Sequence, residues 1–477
     1  MQAKRITNYQ NGRIKHRGAI LLIMLVILVI GIAAILVNSA TSSKIMNLRQ
    51  ANTTAALAQA KAALIGYAIT YGDTHNSPPQ VHGYLPCPDS DASNGEGSSK
   101  STCGSQDVSV IGRLPWRTLD LPALRDGNGE CLWYAISGTY KDNPKTGLMN
   151  WDTYGQFQVY TADGTLLASQ VVAVIIAPGA PQSGQNRSDP SSPPVAPICG
   201  GNYTAGNYLD SDGTINNATV SSTALATSTF RFGTVSGIND QMAVITMNDI
   251  WIAIQKRSDF QNRLHQLTQK VTQCLAFYGN SNYSCGSYCT NRSLPWPARV
   301  SLGTNQLSDY YDNANYNDSS NTGPPYYNTL YAGRVPYNVG TSAGSHNPLT
   351  TLMNSTSCGP MPGGWTTSDD AWYNNWKDHL FYGLAADYVP TSGGGQSCGY
   401  CLSINGAGHY AGVVIFAGKK LAGQARTDKT AVSDYLEGNN DNRILSPSGT
   451  ANYSAGASST FNDVVCYISQ FLNVTCL

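Results

Sequence analysis

Lys15-His16-Arg17-Gly18 leads into AILLIMLVILVIGIAAILV, Ala19 to Val37, a run without a charged residue. At 1.5 Å per residue an α-helix of this length extends about 28 Å, which matches the hydrocarbon thickness of a bilayer. Five basic side chains precede it (Lys4, Arg5, Arg13, Lys15 and Arg17) and no acid. The positive-inside rule therefore expects residues 1–18 to stay cytoplasmic and everything after Asn38 to lie on the other side of the membrane. A secretory signal has a shorter apolar core with a small-residue cleavage site after it. Here the informative junction comes before the core, at Gly18 and Ala19.

The cysteines point to the same compartment. All 12 lie between Cys87 and Cys476, after the apolar run, and their even number suits disulfides formed under oxidising conditions. Charged residues make up 12% of the chain, about half the share usual in globular proteins. Without the basic leader, 24 Lys and Arg face 29 Asp and Glu, so no basic surface able to neutralise a phosphate backbone is expected, and nucleic acid is not the favoured partner.

From Thr41 to Tyr71 there is no proline, and Leu57, Leu64, Ala68 and Tyr71 recur at helical spacing before Gly72. A helix with one apolar stripe is expected here, packed on a globular head. With its short basic leader, Gly18 and hydrophobic helix, this beginning resembles the prepilin signal of type IV pilin-like proteins. The resemblance implies cleavage after Gly18 by a prepilin peptidase, N-methylation of Ala19, and assembly with other pilin or pseudopilin subunits. Two departures bear on its role. The fifth mature position holds Ile23 where most pilins carry Glu, and the first holds Ala19 in place of Phe. That Glu is thought to pair with a neighbouring subunit's amine in the filament core, so its absence leans toward a minor or tip subunit, like the large minor pseudopilin of type II secretion.

Short strings recur in the same order in the two halves of the chain. Tyr71-Gly72 returns as Tyr278-Gly279, Leu85-Pro86-Cys87-Pro88 as Leu294-Pro295-Trp296-Pro297, and Gly112-Arg113-Leu114-Pro115 as Gly333-Arg334-Val335-Pro336. Leu132-Trp133-Tyr134-Ala135 matches Leu380-Phe381-Tyr382-Gly383, and Val174-Ile175-Ile176-Ala177 matches Val414-Ile415-Phe416-Ala417. Gly184-Gln185-Asn186-Arg187 matches Gly423-Gln424-Ala425-Arg426, Tyr208-Leu209-Asp210 matches Tyr435-Leu436-Glu437, and Asn239-Asp240 with Ile245 matches Asn462-Asp463 with Ile468. Phe260, Leu264, Leu267, Val271 and Leu275 supply the second copy with a helix of its own, over 249–278 with Asn248 as its cap.

The expected fold is therefore α+β: a leader (1–18), a transmembrane and amphipathic helix (19–72), and two duplicated pilin-like heads (73–246 and 247–477), each a helix plus an antiparallel sheet. The expected protein is single-pass in the inner membrane, then periplasmic or extracellular in a filament. Its work would be pilus or pseudopilus assembly, surface display or adhesion. A type II secretion tip component meeting exported cargo, or a membrane-anchored periplasmic enzyme, are the rival readings.

Chemistry-bearing motifs are sparse. The seven histidines are scattered, and none sits in a recognisable metal or nucleophile motif such as H-E-x-x-H, so no catalytic residue is assigned. Cys398-Gly399-Tyr400-Cys401 and the close pair Cys285 and Cys289 have the spacing of a zinc site, but the oxidising compartment favours disulfides. Cys87 with Cys103 and Cys466 with Cys476 are further candidate pairs, the second because many pilins close a C-terminal loop in this way. No cofactor is expected beyond a candidate calcium at Asp89 and Asp91 or at Asp210 and Asp212, in Asp/Asn/Gly strings that are more often turns. Tyr310, Tyr311, Tyr316, Tyr326 and Tyr327 crowd a polar stretch and offer a contact surface for a host surface, glycan or partner subunit.

Overall fold

The computed structural model describes residues 17–75, 81–191, 193–233, 237–280, 292–302, 307–318, 331–342, 345–390, 398–445 and 448–477, with the side chains of the first helix described from Ser43. That helix, α1 (Arg17–Thr74), precedes β1 (Val110–Arg113), β2 (Trp133–Ile136), β3 (Phe157–Tyr160), β4 (Leu166–Ala177), β5 (Ser228–Arg231) and β6 (Gln241–Thr246). Next come α2 (Met247–Gln255), α3 (Ser258–Gly279), α4 (Leu307–Tyr311), β7 (Ala332–Arg334), and a hairpin of β8 (Asn338–Ser342) and β9 (Ser345–Thr351). The chain closes with α5 (Thr367–Trp376), β10 (Leu380–Leu384), β11 (Leu402–Ile404), β12 (Ala407–Phe416), α6 (Asn439–Leu445), β13 (Asn452–Tyr453), β14 (Val464–Ser469) and β15 (Val474–Cys476).

The two large sheets repeat one topology. In the first, strands run β1-β2-β4-β3-β5 with β6 also on β4; in the second, β7-β10-β12-β11-β13 with β14 also on β12. The register repeats as well. Arg113 faces Trp133 as Arg334 faces Phe381, and Trp133 faces Ile176 as Phe381 faces Ile415. Ala173 faces Ile245 as Gly412 faces Ile468. These pairings equate Ile176 with Ile415, so the string match Val174–Ala177 to Val414–Ala417 is displaced by one residue. Both strands are apolar on both faces at this point, and with no inward and outward alternation a one-residue slip leaves no trace in the sequence.

Three expectations are corrected. The sheets are mixed: β3 pairs with β5, and β11 with β13, in parallel. Separate heads would bury separate cores, yet one cluster runs from Ala56 on α1 through Trp151, Trp251, Phe260 and Trp376 to Phe416 and Leu472. Third, among the described residues no helix is long and apolar enough to cross a membrane. From Ser43 onward α1 carries Lys44, Arg49, Lys61 and Asp73 and is no span, so the described part of the helix does not support the single-pass inner-membrane placement. The run Ala19–Val37 itself lies outside the described side chains.

The stripe on α1 is in place. Ala56, Leu57, Ala60, Leu64, Ala68 and Tyr71 are buried, whereas residues 43–52 are exposed throughout. The second-copy helix is two helices instead of one. Thr246 caps α2 in a capping box with Asp249, displacing the expected cap Asn248, and the chain turns at Lys256 and Arg257 before α3 begins. Arg257 holds that turn against α1 through Asp73 (2.7 Å) and the Ile69 carbonyl (2.8 Å). The apolar face of α3, Phe260, Leu264, Leu267, Val271 and Leu275, is buried.

Candidate functional site

Three of the repeated strings meet in one polar node in each half. In the first, Gln185 Nε2 donates to Asp210 Oδ1 (3.0 Å), the Asn239 amide to Asp210 Oδ2 (2.6 Å), and both the Asp210 amide (2.9 Å) and Asn217 Nδ2 (2.8 Å) to Asp240 Oδ2. In the second, Gln424 donates to Glu437 (2.9 Å), the Asn462 amide to Glu437 (3.1 Å), and the Glu437 amide (3.3 Å) and Asn440 (2.9 Å) to Asp463. The second carboxyl oxygen of Asp240, and likewise of Asp463, is buried without a partner. Burial first, and Asp210 second, push Asp240 up to about 8. Burial and Glu437 likewise hold Asp463 well above the ordinary carboxylate value. Two buried carboxyls side by side cannot both ionise cheaply, so each node retains a proton.

Arginines flank the nodes on repeated aromatic faces. Arg113 and Arg187 lie over Tyr208 at 5.2 and 5.1 Å, and Arg334 and Arg426 over Tyr435 at 5.5 and 5.0 Å. The carbonyls of Gly179 and Gly418 accept from Arg187 (2.9 Å) and Arg426 (2.7 Å). A Cβ on Gly418 would meet Asn462 Oδ1 at 2.2 Å, which is why glycine stands there.

Where the second node meets the first half, the charges gather into a cluster, of which the first half has a partial counterpart in the ion pair of Glu130 with Arg187 (3.1 Å). His379 Nε2 lies 2.8 Å from Asp152 Oδ2, and its Nδ1 lies 3.0 Å from Asp378 Oδ1. Arg426 reaches Asp152 at 3.3 Å, and Lys429 is in ion-pair contact with Asp378. Burial raises both carboxyls, but their hydrogen-bonding and charged neighbours outweigh it: His379 and Arg426 hold Asp152 below the usual range, and Lys429 and His379 hold Asp378 well below it. Asn150 crosses between the halves to the Asn375 carbonyl (2.8 Å) and Asp378 (3.3 Å), while Trp151 packs edge-on to Trp376 at 4.6 Å. Beside the cluster, Thr139, Asn150, Asp152, Tyr311, Arg426 and Lys429 line a cavity of about 180 Å³.

Chemically this is a lock. The polar neighbours of His379 are Asp152, Asp378 and Trp151, with no hydroxyl or thiol nucleophile among them. The cations of the cavity wall are tied to carboxylates and carbonyls of the protein itself.

The sequence-assigned residues are scattered. Cys87–Cys103, Cys398–Cys401 and Cys466–Cys476 are disulfides, and Cys131–Cys199 and Cys274–Cys358 add two pairs that spacing did not suggest. Cys285, Cys289, Tyr326 and Tyr327 lie outside the described residues, as do the side chains of Gly18 and Ala19. Tyr310 and Tyr316 are buried beside Leu148, so they build core and offer no contact surface; Tyr311 lines the cavity. The calcium reading is corrected too. Asp89 accepts from the Gly97 amide (2.7 Å) and Tyr203 (3.1 Å), Asp91 pairs with Lys100 and Asp212 with Arg231, and Asp210 belongs to the node. Among the described residues no group of three or more His, Cys, Asp or Glu side chains could hold a metal ion.

Sequence reading missed Asp152, Asp378, His379 and Lys429. The one available signal was Asp378-His379 directly before the repeated strand Leu380–Gly383. The chain matches no protein-family model, no curated protein and no solved structure.

Proposed function

We propose that the chain is a non-enzymatic, pilin-like assembly subunit of an oxidising compartment, built to contact neighbouring subunits through α1 and to present a cross-linked double sheet. The observation that carries this reading is the exposed stretch of α1. Residues 43–48 are exposed ahead of the first contacts with the head, which begin at Gln50 with Gln241 (2.9 Å), and Ile45 is 46%, Met46 69% and Leu48 63% exposed. A helix that buries one stripe on its own head and leaves three large apolar side chains in water before it reaches that head is suited to packing on other helices. The lock at His379, with its charges satisfied internally, fits a body that bears load better than one that turns over substrate. The leader resemblance adds cleavage after Gly18 and a tip-like position, because Ile23 stands where the inter-subunit Glu would be.

Two measurements test this. Mass spectrometry of the N-terminus from a surface or envelope fraction is expected to find N-methylated Ala19; an intact leader, or a cut after Val37, sinks the pilin-like reading. Met46→Asp with Leu48→Asp is expected to leave the head folded and to reduce co-purification with pilin-like subunits at least about tenfold, since each substitution places a charge in an apolar helix interface at a cost above about 1.4 kcal/mol. Undiminished co-purification argues that α1 is not the contact element.

A further inference from the structure

The second copy carries chain that the first does not. β1 leads to β2 with no helix between them, whereas the β8–β9 hairpin and α5 come between β7 and β10. Thr366 caps α5 in a capping box with Asp369, and Asp369 ties the helix to α3 through Arg263 (2.7 Å) and Lys270 (2.8 Å). With Asp73 at the end of α1 and His82 beyond it, α3 and α5 enclose a cavity of about 490 Å³, a size within the range of about 300–1,000 Å³ usual for small-molecule sites. Its walls come from both halves, so the cavity exists only because the halves share one core.

The charges around this cavity cancel and are already paired. Arg257 holds Asp73 (2.7 Å) and Asp259 (2.6 Å), while Arg263 and Lys270 share Asp369. Burial first, and Arg257 second, hold His82 below its ordinary value, so it adds no charge near neutral pH. What remains open is neutral hydrogen-bonding capacity. Asn262 and Gln266 stand one turn apart on the exposed side of α3, and among the described residues their side chains make no hydrogen bond. His82 Nδ1, Arg263 Nε and Trp372 Nε1 are buried without a partner, and the last two can only donate. Asp259, with its side chain 63% exposed, keeps acceptor capacity beyond its contact with Arg257.

We propose that this cavity binds the end of a neutral oligosaccharide, with Asn262, Gln266 and Asp259 taking its hydroxyls and Phe260 and Trp372 forming the apolar wall against its C–H side. A carboxamide donates and accepts, and so does a sugar hydroxyl. An ionic ligand would have to draw Arg257 or Arg263 away from a carboxylate that it already holds, whereas a neutral sugar displaces only water. An apolar ligand would leave the two amides unmet. Phe260 and Trp372 are 3% and 2% exposed, so they offer little ring surface and the hydroxyl contacts carry the binding. The cavity thus takes the contact role expected of Tyr310 and Tyr316, whose rings are buried.

The test places the full chain, in detergent, on an array of neutral and sialylated oligosaccharides. Neutral oligosaccharides are expected to retain it, and the strongest of them, added free, to release it. Asn262→Ala with Gln266→Ala removes two exposed side chains; it is expected to keep the wild-type urea midpoint and to lower retention at least about tenfold. Met46→Asp with Leu48→Asp, which probes assembly through α1, is expected to bind these sugars as the wild type does, so the two proposals fail separately. Retention by no neutral oligosaccharide, or by sialylated ones alone, overturns the sugar site. So does retention that survives the Asn262 and Gln266 changes, or that is lost with the Met46 and Leu48 changes.

Discussion

Replacing Arg426 by alanine is expected to lower folding stability by about 3–5 kcal/mol, because it leaves the buried Asp152 carboxylate with His379 alone and two buried carbonyls without their donor. Arg426 is 1% exposed and bonds to Asp152 (3.3 Å), the Gly418 carbonyl (2.7 Å) and the Asp434 carbonyl (2.8 Å). Its loss therefore unties β12 from the loop that carries Tyr435 and also strips a cation from the junction between the halves. Arg426→Lys keeps the charge but not the planar fork. It should recover the part of the loss that comes from Asp152 and leave the carbonyl contacts unmet. Urea midpoints read the difference directly, and an unchanged slope shows that the same surface is exposed on unfolding. A loss below about 1 kcal/mol for Arg426→Ala means that the cluster is not a lock, since surface-like substitutions lie in that range.

The sequence carried the repeat but not its consequence. Eight strings in order identified two copies because each contains residues that a backbone cannot exchange cheaply: the strand arginines Arg113 and Arg334, the Gln-x-Arg turns, and the Asn-Asp pairs that close on the preceding acid. Apolar spacing likewise marked the buried faces of α1 and α3, since a 3.6-residue stripe is a local property. What lay beyond reach was long-range. Nothing local told that Trp151 would pack on Trp376, or that Asp152 would meet His379 across 227 residues. The shared core that makes the halves one body was hidden for the same reason. Composition misled at the tyrosines: a polar stretch rich in Tyr reads as surface, yet Tyr310 hands its hydroxyl to the Val300 carbonyl (3.0 Å) and buries its ring with Tyr316. The disulfide Cys274–Cys358 was illegible because its partners lie 84 residues apart with no repeat to tie them. Cys87–Cys103 and Cys466–Cys476 span only 16 and 10, and chain length alone keeps such partners close.

Stability is expected to fall as the pH rises from acid toward alkaline values, with the two carboxyl pairs as the cause. A carboxyl whose folded pKa is raised holds its proton more tightly in the native state than in the unfolded chain. Its contribution is therefore fully present below the unfolded value of about 3.9 and is lost as the pH climbs through the folded one. For Asp240 that folded value is about 8, set by burial and by Asp210, with Arg187 opposing. Asp463 moves in the same direction beside Glu437, with Asn440 opposing. Within that window each node weakens the fold by up to about 1.4 kcal/mol per pH unit. Asparagine copies the protonated acid: at position 240 its oxygen can still accept from the Asp210 amide and Asn217, while its amide can donate where the proton was. Asp240→Asn with Asp463→Asn should therefore match the wild type near pH 5 and exceed it near pH 9, flattening the dependence of the urea midpoint on pH. If the double variant keeps the wild-type slope, the protons of the acid pairs are not what links stability to pH. If it is weaker than the wild type at pH 9, the carboxyls are held ionised by the donors around them, and the repeated nodes are anion sites instead of proton sites.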